Sequence, residues 1–237
     1  MWPSYRLGPP QQSKAVSEIF SGSRRIEKQR SGHEIERGVR TPGSPFFCLK
    51  SLRKRTGSKG ADMIDQPETI ATARLTLRAP RLDDAVRLVE LANDFDIARM
   101  TIGMPHPYTR DYGDDFLRRM ERLDWTREAV FAIDHPKDGF VGVLGFHPMD
   151  PTAPEIGYWI GRPYWGLGYA TEAATAALDW ARADWGRRLV ISGHFADNPA
   201  SGRVLEKAGF LYTGVVQPRH SKARGEEALT RMMVWLA

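Results

Sequence analysis

The segment from Glu155 to Ala183 constrains the fold more than any other part of the chain. Glu155-Ile156-Gly157-Tyr158-Trp159-Ile160 reads as a strand. It runs into Gly161-Arg162-Pro163-Tyr164-Trp165-Gly166-Leu167-Gly168-Tyr169-Ala170, and an alanine-rich helix follows from about Thr171 to Ala183. Because Gly166 and Gly168 lack a Cβ, the backbone N–H groups of this turn can approach a ligand and point together. Thr171 and Glu172 open the helix, whose unpaired first amides and positive dipole end suit an anion such as a pyrophosphate. A purely structural strand-to-helix bend uses the same residues, so both readings stand at this point. Other phosphate sites fit worse. A dinucleotide fingerprint needs a third small residue where Thr171 stands and an acid after a second strand, and a P-loop needs Gly-Lys-Ser/Thr after its glycines.

Around this segment strands and helices alternate. Leu75 and Leu77 alternate with polar residues in Arg74-Leu75-Thr76-Leu77-Arg78, the period of a half-buried strand. Asp83 and Asp84 open a helix through about Asn93, with Leu82, Val86, Val89 and Leu91 as its predicted apolar stripe. A Gly/Pro/His/Tyr loop, Ile102 to Tyr108, leads to a second helix from Asp111 to about Asp124, with Phe116, Met120 and Leu123 on one face. Strands at Ala129 to Ile133 and Phe140 to Phe146 flank a Pro and Asp-Gly turn. After the alanine-rich helix come a strand from Leu189 to Phe195, a short helix from Pro199 to Lys207, and strands at Phe210 to Val216 and Leu229 to Leu236. Antiparallel strands followed by strands joined through helices predict a mixed α/β sheet with helices on its faces.

Charge divides the chain. Residues 1 to 62 hold 13 of the 34 Lys and Arg but only 5 of the 29 Asp and Glu, leaving 21 basic and 24 acidic residues for 63 to 237. All the excess positive charge therefore lies in a Ser/Gly/Pro/Arg/Lys-rich leader with no helical or strand period, which is expected to be disordered or loosely attached. One reading of it is a basic arm for RNA, carried by Lys50, Arg53, Lys54 and Arg55. A transit peptide fits less well, because Glu18, Glu27, Glu34 and Glu36 interrupt it. The favoured reading starts the protein at Met63, which leaves a slightly acidic domain and makes nucleic acid a poor partner for it. No run approaches the roughly 20 apolar residues of a membrane-spanning helix. Cys48 is the only cysteine, and the histidines of 63 to 237, His106, His135, His147, His194 and His220, are scattered, so no metal site is expected.

Tyr164-Trp165-Gly166-Leu167-Gly168-Tyr169-Ala170-Thr171-Glu172-Ala173 and Asp197-Asn198-Pro199-Ala200-Ser201-Gly202-Arg203-Val204-Leu205-Glu206-Lys207-Ala208-Gly209-Phe210 resemble the GNAT-family N-acetyltransferases, and more narrowly their RimJ/RimL-type branch. Ala73-Arg74-Leu75-Thr76-Leu77-Arg78 and Glu155-Ile156-Gly157-Tyr158-Trp159 agree in order and spacing. The resemblance spans 69 to 237 and none of the leader. It implies a mostly antiparallel central sheet splayed between its fourth and fifth strands, here Glu155–Ile160 and Leu189–Phe195, with helices on both faces. It also implies acetyl-CoA as cosubstrate, with Trp165, Gly166, Leu167, Gly168, Tyr169 and Ala170 cradling the pyrophosphate. Trp159 and Ile160 would pair with the pantetheine arm through their backbones, Asn198 would hold the cofactor or the loop at the splay, and Arg203 would contact a CoA phosphate. Ser201 would lie near the thioester sulfur. Many relatives carry a tyrosine general acid four residues after that serine, where this chain has Leu205.

The chemistry this implies is direct transfer to an amine. Residues 63 to 237 contain no cysteine, which removes the commonest acyl-enzyme route. An α-amine with a pKa of about 8 loses its proton more readily than a lysine at about 10.4, so a lightly equipped site suits a protein N-terminus. Glu155 is the candidate base, acting through water, and also reads as a solvated strand-end carboxylate. His147 and Tyr158 are candidate acceptor contacts, with Trp125 and Trp159 as further walls. Asp94 and Asp96 are either attractors of a cationic amine or solvated. Two alternatives stay open: a small-molecule amine as acceptor, and a non-catalytic CoA-binding module. A cytoplasmic monomer or homodimer is expected.

Overall fold

The computed structural model describes residues 69–150 and 153–237; the basic leader and the start at Met63 lie outside them. Eight strands form one sheet: β1 (Ile70–Ala71), β2 (Thr76–Arg78), β3 (Ala129–His135), β4 (Gly139–Asp150), β5 (Ala153–Ile160), β6 (Leu189–Phe195), β7 (Leu211–Ser221) and β8 (Glu226–Leu236). Their order is β1-β2-β3-β4-β5-β6-β8-β7. Every neighbouring pair is antiparallel except β5 and β6, which run parallel and share one register pair, Glu155 with Ile191. The predicted mixed sheet and its splay are both present, one strand number later than in the sequence reading because of the two-residue β1.

Helices α1 (Ala85–Ala92), α2 (Phe95–Ala98) and α3 (Arg110–Met120) bury one face of the sheet, and α4 (Tyr169–Ala183) and α5 (Pro199–Lys207) the other. The alanines explain how closely α4 lies. Ala173, Ala174, Ala177 and Ala181 are fully buried, and so small a face lets the helix axis approach the sheet. Trp180 and Trp185 close its end, stacked at 5.5 Å, with Phe131 edge-on to Trp180 at 5.2 Å. Trp125 belongs to this layer too, 5.3 Å from Phe131, and so does not wall the cleft on the other face.

Three elements differ from their sequence prediction. The stripe of α1 is Ala85, Leu88, Leu91 and Ala92, while Leu82 and Val86 are exposed at 46% and 67%. Residues 82–84 form a 3₁₀ turn first, which rotates the helical phase and makes two alanines core residues. Next, α4 begins at Tyr169 rather than Thr171, because Gly168 takes a left-handed φ of +81° and lets the turn enter the helix at once. Finally, the β7–β8 hairpin extends beyond Val216 through polar residues to Ser221 and Glu226. Its tip docks on the segment after α2: the Lys222 amide donates to the Ile102 carbonyl (3.0 Å) and Ser221 Oγ to the Thr101 carbonyl (3.0 Å).

Arg78 ties β2 to its surroundings from inside the fold. Only 8% exposed, its guanidinium donates to Asp84 at 2.6 and 2.9 Å and to Asp134 at 2.9 Å. Burial alone would make Arg78 less basic, but the two carboxylates outweigh it and hold the guanidinium charged. Removing one partner leaves buried charge uncompensated. Asp84→Ala is therefore expected to lose about 3–5 kcal/mol of stability in urea denaturation, whereas Arg118→Ala, an exposed i,i+3 pair with Asp115, should lose under about 1 kcal/mol.

Candidate active site

The gap between β5 and β6 is the feature from which the site is built. At its closed end Ser192 Oγ donates to the Ile156 carbonyl (3.0 Å), replacing a ladder amide. Beyond it, backbone direction alternates along β5. The Gly161 amide donates to Val141 across β4 (2.9 Å), and the Trp159 carbonyl lies so close to Gly142 that a Cβ there would sit 2.3 Å from it. Residues 159 and 161 thus face β4, and Tyr158 and Ile160 turn their backbones to the gap. Of the two backbones expected to face a strand-like partner, Ile160 does and Trp159 does not; the period of two moves that place to Tyr158. The Ile160 carbonyl already accepts from the Trp165 indole at 2.7 Å.

At the open end lies the glycine turn. Gly166 and Gly168 have φ of +77° and +81°, conformations that disfavour any side chain, and a Cβ at Gly166 would meet nothing within 4 Å. The first α4 amide to reach a carbonyl is that of Glu172, on Gly168 at 3.1 Å, so the amides of Tyr169, Ala170 and Thr171 leave the helix end without an intrahelical acceptor. A clamp from the β1–β2 turn holds this end in place. Glu172 accepts from Thr72 Oγ1 (2.6 Å), the Arg74 amide (2.8 Å) and Arg74 Nε (2.7 Å), and Arg74 also donates to the Leu167 carbonyl (2.9 Å). Burial pushes the Glu172 carboxyl up, but Thr72 and Arg74 outweigh it and hold it below the usual range. Outside, Trp165 and Leu167 are exposed, with the Arg162 guanidinium 4.9 Å over the indole ring.

On the α4–α5 face, Tyr158 crosses the gap to the first turn of α5. Its hydroxyl lies 2.9 Å from Ser201 Oγ and 3.1 Å from the Ser201 carbonyl. Asn198 caps the helix, Oδ1 accepting from the Ser201 amide at 3.2 Å. Tyr158, a candidate acceptor contact, therefore stands with Ser201 and Asn198, on the sheet face opposite Trp159. Arg203 is exposed on α5, and Leu205 is fully buried in the core.

The other face of β5 carries a second polar group. Glu155 is paired in register with His147 of β4 and forms an ion pair with Arg219 of β7, both side chains at least 85% buried. His147 Nδ1 is 3.7 Å from Glu128, whose carboxyl is held below the usual range by His147 first, against its partial burial, with help from Arg119. Alongside, Leu88, Gly103, Met104, Tyr108, Tyr112, Phe116, Val143 and Trp159 enclose a small, largely apolar pocket. The loop from Ile102 to Tyr108 supplies Gly103, Met104 and Tyr108 to it. Asp94 and Asp96 are both taken by an ion pair, Arg162 donating to each at 2.6 Å, with 45% of the Asp96 side chain still exposed. Sequence reasoning missed Arg219 and Glu128. Arg219 lies 64 residues from its partner, and Glu128 meets His147 only through the register that pairs Ala129 with Phe146.

Unpaired amides at a helix start, a parallel pair that splays, and hydroxyls across the gap are chemically suited to an extended, phosphate-bearing molecule along a strand edge. Residues 74–211 match the acetyltransferase (GNAT) domain, and the chain belongs to that family of acetyltransferases. It is similar to an uncharacterized N-acetyltransferase p20 of Bacillus licheniformis, 29% identical over 164 residues that span 67% of this chain and 90% of that one. It is also similar to the ribosomal-protein-serine acetyltransferase of Escherichia coli, 32% identical over 84 residues, 34% of this chain and 46% of that protein. The fold resembles that of a spermidine N-acetyltransferase from Vibrio cholerae in complex with CoA and spermine, with a TM-score of 0.58, 20% identity, and 69% and 96% of the two chains covered.

The clamp on α4 gives a pH test with a defined sign. Because the folded-state pKa of Glu172 is depressed, its stabilisation is present above the unfolded value of about 4.3 and lost as pH falls through the lower folded value. Glu172→Gln is expected to be less stable than the native chain at pH 7, with the difference shrinking below about pH 4.3; urea denaturation at stepped pH reads it.

Proposed function

We propose that this acetyltransferase takes its acetyl group from acetyl-CoA and passes it directly to the α-amino group of a protein N-terminus. The observation that carries the reading is the gap beside β5, with the left-handed Gly166 and Gly168 under the open end of α4 on one side and Ser201 on the other. These residues fit CoA. The amides from Gly166 to Ala170 hold the pyrophosphate, that of Trp165 being taken by the Arg162 carbonyl at 3.1 Å; Tyr158 and Ile160 receive the pantetheine arm as β5 would receive an added strand, and Arg203 meets a phosphate. Asn198 keeps the start of α5, and with it Ser201, in place. Acetyl-CoA, when bound, supplies the activated thioester. The chain orients the amine, accepts its proton through water at Glu155, and steadies the leaving sulfur at Ser201.

The acceptor reading follows from charge. An acceptor with several positive charges would find Asp94 and Asp96 paired with Arg162, and Asp197 with Arg224 at 2.9 Å. A single α-amine needs no such acids, and the pocket lined by Met104, Tyr108 and Trp159 suits an uncharged first side chain. A small amine carrying an apolar group is the second reading, supported by that same pocket. Conversion of acetyl-CoA in these roles agrees with a cytoplasmic protein.

Thiol release from acetyl-CoA by the full chain, challenged with peptides varied at the first residue and with small amines including spermidine, separates these acceptors. Turnover on peptides with small or apolar first residues and none on spermidine is expected; spermidine as the best acceptor would overturn the assignment. Gly168→Ala forces a side chain into the left-handed region at a cost of about 1–2 kcal/mol. It is expected to raise the KM for acetyl-CoA while leaving the KM for the acceptor unchanged.

A further inference from the structure

The position four residues after Ser201 is Leu205, fully buried in the core, so no hydroxyl from that part of α5 can reach the gap. A hydroxyl arrives from the opposite side instead. We propose that Tyr158 is a positioning residue for the leaving sulfur: its O–H donates to Ser201 Oγ, which turns the Ser201 O–H into the gap toward the CoA thiolate. This inference rests on the acetyl-CoA reading above.

Tyr158 has one proton and two acceptors within reach, Ser201 Oγ at 2.9 Å and the Ser201 carbonyl at 3.1 Å. With nothing negative in the gap, Tyr158 can donate to the carbonyl while Ser201 donates to the phenol oxygen. With a thiolate in the gap, both O–H bonds rotate, so that Tyr158 donates to Ser201 Oγ and Ser201 donates to sulfur. No heavy atom has to move, because Asn198 and the Pro199–Lys207 helix already fix Ser201 and β5 fixes Tyr158. Burial holds the phenol protonated across the working range. Neither hydroxyl gives up its proton. The amine nitrogen forms a bond to the acyl carbon, the carbon–sulfur bond breaks with its electron pair on sulfur, and the amine proton leaves through water. Sulfur departs as thiolate, which needs only a hydrogen bond because a thiol ionises near pH 8.5.

The test uses free CoA on the full chain. The thiolate of bound CoA is titrated by its ultraviolet absorbance, as a difference against the same protein without CoA, which cancels Cys48. In the native chain the bound thiol is expected to ionise below about 8.5, the free-thiol value. Tyr158→Phe is expected to move that midpoint back up by about half a unit, Ser201→Ala to abolish the depression, and the double variant to match Ser201→Ala alone. Turnover of Tyr158→Phe should fall about tenfold with the KM for acetyl-CoA unchanged. An unchanged midpoint in Tyr158→Phe, or an equal shift in the Ser201→Ala background, would overturn the proposal, since a packing role leaves the thiol untouched. Thermal unfolding of each variant shows that it is folded. Failure of the native chain to bind CoA would remove the acetyl-CoA reading itself, and this proposal with it.

Discussion

One register pair, Glu155 with Ile191, joins two halves of the sheet. Each flanking strand is committed on its other side: β5 pairs with β4 from Ala153 to Ile160, and β6 with β8 along its whole length from Leu189 to Phe195. The sheet twist carries those halves apart, and past Glu155 the two strands cannot stay within hydrogen-bonding distance. Backbone groups left at such an opening are costly unless something satisfies them. Ser192 Oγ and the Trp165 indole take the carbonyls at the two ends, so that the opening persists as a stable slot instead of fraying. Because side chains alternate on β5, Tyr158 stands on one face of the slot and Glu155 and Trp159 on the other. The separation of the Ser201 side from the Glu155 side follows from that period.

Arginines fix the loops around the slot. Arg74 fastens the glycine turn to β1–β2, Arg162 the same turn to α2, and Arg224 the tip of the β7–β8 hairpin to Asp197 and to the Arg99 carbonyl. Each uses the planar fork to hold two groups at once, which a lysine would not do with the same geometry. These side chains are consequently engaged within the chain. With 21 basic and 24 acidic residues in 63–237, the domain offers no excess of cations to a polyanion, and the basic character of the whole sequence belongs to its first 62 residues.

The glycine turn and the α4 and α5 helices were legible in the sequence because each rests on local signals: glycine spacing, a run rich in alanine, and an Asn-Pro helix start at Asn198. Leu189–Phe195 and Pro199–Lys207 fall where the sequence put them. What escaped depends on distant partners. Leu82 reads as core until the 3₁₀ turn at 82–84 rotates it outward, and Asp94 reads as solvated until Arg162 arrives from 68 residues away. The assignment of Tyr158 to the Ser201 side needed the strand parity, which depends on β4 occupying the other edge of β5. Apolar alternation also ends at Val216, so the polar outer half of the last hairpin carried no strand signal although its Arg219 reaches Glu155 and its tip docks on Thr101 and Ile102.

The uneven legibility has a chemical origin. A thiolate is a good leaving group, stable near neutral pH with modest hydrogen bonding, so acetyl transfer from a thioester makes a small demand on any one side chain. On the proposed reading Ser201 alone meets the sulfur and Tyr158 only orients it, so the place of Leu205 can be given to the core. The slot and its anion cradle have no such substitutes, because only residues with positive φ let the chain turn from β5 into α4 with amides pointing outward. The cradle is accordingly written in a short run of adjacent residues, while the groups proposed to act on the sulfur and the amine, Tyr158, Ser201 and Glu155, are drawn from β5 and α5 and become visible only when the sheet brings them together.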